Sequence, residues 1–115
     1  MSFAAKYVLA LGWTAGILLV PNHASAEPDA EKLALGKEVF LERAQPACGL
    51  CHTLADAGSE GSIGPILDDL KPDAERVRQA VTNGIGPMRP YTDHLNEQEV
   101  DALSYYVATV TGGSN

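Results

Sequence analysis

The sequence is poor in cysteine, in aromatic residues, in positive charge and in long apolar runs, and each shortage closes off an explanation. Eight Lys and Arg stand against fifteen Asp and Glu, a formal charge of -7. So acidic a chain has no basic patch with which to neutralise phosphates, and nucleic acid is not expected as a partner. There is no stretch of alternating apolar and polar residues long enough for the strands of an α/β frame. No repeats or low-complexity tracts appear. Cys48 and Cys51 are the only thiols, so any role for them competes for the same two sulfur atoms.

The N-terminus has one charge, Lys6, followed by an apolar stretch from Tyr7 to Val20 that Pro21 and Asn22 break. The small residues Ala24-Ser25-Ala26 come next, which completes the layout of a secretory signal peptide cleaved after Ala26. The stretch from Tyr7 to Val20 is short of the ~20 apolar residues that span a bilayer, and Gly12, Thr14 and Gly16 dilute it. Residues 1–26 are therefore expected to be a cleaved signal and residues 27–115 one exported, periplasmic domain. A membrane attachment is expected only if the signal is retained. Loss of Lys6 leaves seven cations against fifteen anions, a charge of -8. Trp13 leaves too, so Phe40, Tyr91, Tyr105 and Tyr106 are the remaining aromatic residues. A domain near the lower size limit for a self-sufficient core has little with which to fill its centre. A bound cofactor would fill it.

Residues 46–54 read "PACGLCHTL" and offer three uses for Cys48, Cys51 and His52. Structural zinc needs four ligands, and beyond His94 the exported chain has no second Cys or His pair to complete them. A thioredoxin-like redox pair needs the α/β frame that is missing. The third use needs only what is present, because C-x-x-C-H is the attachment signature of c-type haem. Cys48 and Cys51 would form thioethers to the two porphyrin vinyl groups, and His52 would lie under the iron as proximal ligand. Such attachment takes place outside the cytoplasm, in agreement with an export signal.

The second axial position falls to Met88, the only methionine after removal of Met1, in "TNGIGPMRPY". A methionine more often fills a gap in a core. Here it lies in a loop where Gly84 and Gly86 allow close backbone approach and Pro87 and Pro90 stiffen the chain. His94 is the rival ligand and reads as an exposed residue just before a helix. Met/His ligation is the arrangement that raises a haem potential.

The remainder reads as helices. Asp29 caps a first one over Ala30–Arg43, with Leu33, Gly36, Val39 and Phe40 on one face. "KPDAERVRQAVTNG" is a second, with Pro72 at its start and Gly84 just past its end. "NEQEVDALSYYVATV" is the third, opened by an Asn96–Glu99 capping box and lined by Val100, Leu103, Tyr106, Val107 and Val110. Between the cysteine motif and the second helix, "LADAGSEGSIGPILDDL" has no periodicity and is expected to be loop. The fold class is all-α, with three main helices and Gly/Pro-rich loops around one haem.

From residue 27 onward these motifs, in order, resemble the class I monohaem cytochromes c. The resemblance implies one covalent haem c on "CGLCH". It also implies that Pro65, in the Gly64-Pro65 pair, accepts a hydrogen bond from His52 through its carbonyl and so fixes the tautomer. Gly36 and Phe40 match the Gly-x-x-x-aromatic pattern of the family's first helix, and Leu103 and Tyr106 that of its last. In the family these helices cross closely at the glycine. Relatives usually follow the ligand methionine with proline, whereas Arg89 intervenes here. It reads as an exposed loop cation, with contact to a haem propionate or a partner as the functional alternative. "TLADAG", "LKPD" and "VTNGIG" are most similar to the small cytochromes paired with bacterial sulfite dehydrogenases. That similarity implies a molybdenum sulfite dehydrogenase as electron donor and another cytochrome or a terminal oxidase as acceptor. The alternative function is a small peroxidase-like haem enzyme or a haem-based ligand sensor, which would need a labile sixth ligand.

Overall fold

Three capped helices set the frame, and each cap is a local event. The computed structural model describes residues 27–115; the expected signal at 1–26 lies outside the described residues. Helix α1 spans Ala30–Glu38, and the Asp29 side chain accepts from the Lys32 amide at its start. It continues through a π-helical turn, Val39–Arg43, that ends where Ala44 N donates to Val39 O. Helix α3, Ala74–Asn83, is capped by Asp73 and stops at Gly84, whose positive φ of 74° ends the helical run. Helix α4, Glu97–Thr111, starts in a complete capping box between Asn96 and Glu99. Each such cap satisfies amides that the first turn would otherwise leave unpaired.

The segment expected to be pure loop is not one, and the fold is not purely all-α. Strands β1, Thr53–Leu54, and β2, Ser59–Glu60, pair antiparallel, with Thr53 opposite Glu60 and Leu54 opposite Ser59. A four-residue helix α2, Leu67–Leu70, comes next. Two-residue strands carry no readable alternation, which is why the sequence hides them. Ser59 stabilises this hairpin: its Oγ accepts from Leu54 N and donates to His52 O.

Helix α4 is the centre of the core. Its expected stripe is buried except for partly covered Val110, but Ala102, Ser104 and Ala108 are buried too, because α1, α2 and α3 all pack on it. A Cβ on Gly36 would collide with the Ala102 carbonyl oxygen and the Tyr106 Cβ, so only glycine lets α1 approach so closely. The Phe40 and Tyr106 rings then meet edge to face, 6.2 Å between centroids. Beyond the rings, Tyr106 donates to Asp56 Oδ2 at 2.7 Å, and Lys37 Nζ donates to the same carboxylate and to the Asp56 carbonyl. This polar knot ties α1 and α4 to the chain just after the cysteine motif. Among the described residues, no helix is long and apolar enough to cross a membrane.

Candidate functional site

Cys48–Leu50 form one 3-10 turn, closed by bonds from Cys51 N and His52 N to Cys48 O. Side chains three apart on such a turn eclipse one another, which directs both thiols to one side. Both are free thiols. Burial pushes the Cys48 thiol up to about 12, so it is neutral at pH 7.

His52 comes directly after, and its ring is oriented by the Gly64-Pro65 pair. Nδ1 lies 2.9 Å from Pro65 O. A carbonyl can only accept, so the proton sits on Nδ1 and the Nε2 lone pair is left free for a metal. Gly64 makes room for the ring: a Cβ there would stand 2.5 Å from His52 Cε1. The Gly64 amide in turn donates to Cys51 O at 2.7 Å, which holds this segment against the motif.

Met88 arrives from the other end of the chain. After α3 the backbone turns back in a tight hairpin, with Ile85 and Met88 exchanging both amide bonds at 3.0 Å. Gly86, with φ 54°, occupies the turn with Pro87. Met88 is half-buried and packs against the core, whereas its rival His94 is exposed.

These pieces border one cavity of about 890 Å³, walled by Phe40, Leu67, Val77, Val81, Leu103 and Val107. Cys48, Cys51, His52, Pro65, Met88 and also His94 line it. The size is within the range of cofactor sites. An apolar chamber with two thiols on one turn, an imidazole of fixed tautomer and a thioether has the donor set that covalent haem c requires. Arg76, Arg89 and Asp93 are the fully charged side chains at its border. Arg89 is exposed, and neither arginine forms an ion pair among the described residues, whereas Lys32, Lys37, Arg43 and Arg78 all do. Exposed Ile63 and Ile85, with Leu70, add an apolar rim.

Two contributors were not legible in the sequence. Gly61 presses on the motif itself, since a Cβ there would stand 2.6 Å from His52 N. Tyr91 lines the cavity and donates to Pro46 O at 3.0 Å. Burial raises its hydroxyl above the ordinary tyrosine range. Its place three residues after Met88, in a proline-stiffened loop, was the available signal.

Residues 31–107 match the family described as cytochrome c oxidase, cbb3-type, subunit III. Chloroplastic cytochrome c6 of Chlamydomonas reinhardtii is 35% identical over 113 residues, covering 90% of this chain and 70% of that protein. Cytochrome c6 of Cladophora glomerata is 35% identical over 92 residues, covering 69% of this chain and 89% of that protein. The crystal structure of the c-type cytochrome SorU from Sinorhizobium meliloti matches with a TM-score of 0.70 and 58% identity. That match covers 75% of this chain and 98% of SorU.

Proposed function

Because the chain belongs to the class I monohaem cytochrome c family, whose members hold one covalent haem c and carry electrons, we propose that it is a periplasmic carrier linking sulfite oxidation to respiration. As a family member it is an electron carrier rather than an enzyme. In this reading a molybdenum sulfite dehydrogenase is the donor and another cytochrome or a terminal oxidase the acceptor. Residues 1–26 are the cleaved export signal, and the haem is attached outside the cytoplasm. Cys48 and Cys51 would hold the haem through thioethers, and His52 and Met88 would ligate its iron.

The observation that carries the reading is the shared cavity, in which His52 has its Nδ1 proton committed to Pro65 O and its Nε2 free. Haem c supplies one reversible electron when bound. The chain's own contribution is to hold its ligands still. The Pro65 carbonyl orients His52, and the Ile85–Met88 hairpin limits where the sulfur can go. Two side-chain ligands would leave no place for a substrate on the metal. The apolar rim of Ile63, Leu70 and Ile85 suits brief contact with a partner's own apolar exit. The sulfite assignment is supported by the stretches "TLADAG", "LKPD" and "VTNGIG" and by the 58% identity with SorU.

Stopped-flow mixing tests it. Sulfite alone should leave the oxidised protein unchanged, and sulfite with catalytic amounts of the dehydrogenase should reduce it rapidly. The charge of -8 over residues 27–115 predicts a bimolecular rate that falls as salt screens a partner of opposite sign. Normal reduction by dithionite without any reduction by the dehydrogenase would remove the sulfite assignment and leave a general electron carrier.

A further inference from the structure

Among the described residues, the backbone hydrogen bonds of Ile85 and Met88 go only to each other. These two internal bonds make the hairpin a unit, with Gly86 at positive φ inside the turn and Gly84, also at positive φ, as the glycine at its base. Ile85 is 62% exposed, and Pro87 and Arg89 are exposed as well, so one side of the hairpin faces water. Segments of this kind open at low cost. Tyr91, just beyond the hairpin, is firmly anchored by contrast: it is only 8% exposed and belongs to the core cluster. Its amide donates to Val81 O at 2.9 Å, and its hydroxyl donates to Pro46 O at 3.0 Å. Pro46 lies two residues before Cys48. Among the described residues, this is the one hydrogen bond joining residues 85–91 to residues 46–52, across 45 positions of sequence.

We propose that the Tyr91 hydroxyl is a latch that keeps Met88 at the sixth position by fastening its loop to the haem-attachment turn. Tyr91 is thus a positioning residue, and the proposal rests on the reading of Met88 as axial ligand. For Met88 to leave, the hairpin must swing about Gly84 and Tyr91, and the Pro46 bond resists movement at the second of these points. Tyr91→Phe keeps the ring in the core and removes only the hydroxyl. A neutral hydrogen bond is worth a net ~0.5–1.5 kcal/mol, which is about 2- to 12-fold in the ratio of open to closed loop. An added ligand that binds only the open form sees its apparent affinity change by the same factor.

The test is imidazole titration of the intact oxidised holoprotein, read by loss of the far-red methionine-to-iron band. Tyr91→Phe should keep the band without imidazole and need about 2- to 12-fold less imidazole to lose it. Tyr105→Phe is the control, because it deletes a hydroxyl that accepts from Asp29 N at 3.0 Å at the start of α1. It should titrate like the wild type. A Tyr91→Phe protein that titrates like wild type would overturn the latch. Equal shifts in both variants would also overturn it, since they would report general loosening. A wild-type band that is absent, or that disappears in His94→Ala and survives in Met88→Ala, would overturn the Met88 reading and the latch with it.

Discussion

Replacing Gly36 by alanine tests how the two long helices meet. The added methyl would lie against the Ala102 carbonyl oxygen and the Tyr106 Cβ, with the Ala102 carbonyl carbon at 2.9 Å. Two of these three atoms are backbone of α4, so no rotamer change relieves the contact. Overpacking of this kind costs about 1–3 kcal/mol, and contact with rigid backbone argues for the upper end. Alanine is a better helix former than glycine by ~1 kcal/mol, which acts in the opposite direction. The net expectation is a loss of about 2 kcal/mol, or a melting temperature lower by about 8–16 °C for a domain of this size. Thermal and urea unfolding of the holoprotein by circular dichroism would measure it. Ala34→Gly, on the exposed face of the same helix, should lose ~1 kcal/mol and isolates the propensity effect. A Gly36→Ala protein as stable as wild type, or more stable, would refute the close crossing.

The polar contacts give two further outcomes. Asp56 is held below the usual carboxylate range, first by the hydroxyl of Tyr106 and then by Lys37. Its charged form is favoured by folding, so this stability is present above the unfolded value of about 4 and is lost as pH falls through the folded one. Tyr106→Phe should therefore cost about 1 kcal/mol at pH 7, a modest figure because 44% of the Asp56 side chain is exposed, and the deficit should vanish in acid. Urea midpoints followed from pH 7 down through the acid range until the protein unfolds, with a deficit that never shrinks, would contradict it. Gly64→Ala should force the His52 ring off Pro65 O, since the new methyl would sit 2.5 Å from Cε1. Loss of an orienting contact of this type weakens a metal ligand about 10- to 100-fold, so a spectral titration of the holoprotein with a competing iron ligand should need that much less of it to displace His52. An unaltered titration would show that Pro65 does not orient the ring.

What the amino-acid sequence determined was local. The Asp29 and Asn96–Glu99 caps are each complete within one helical turn, so residue type and spacing were enough to place those two helix starts, whereas the helix expected to start at Pro72 is capped by Asp73 and begins at Ala74. The Cys48–Cys51–His52 spacing is likewise decided inside a single 3-10 turn. The structure alone decided what lies far apart in sequence or is too short to show a period. The β1–β2 hairpin has two residues per strand, and α2 has four, so neither repeats a pattern often enough to be read. Gly36 could be matched to a pattern, but the backbone carbonyl that forbids a methyl there belongs to Ala102, brought in by helix packing. Tyr106 reaches Asp56 across 50 residues and Tyr91 reaches Pro46 across 45. Such pairs depend on which surfaces packing brings together, because a hydroxyl bonds whatever acceptor the buried surfaces leave beside it, and neither partner's local sequence encodes that.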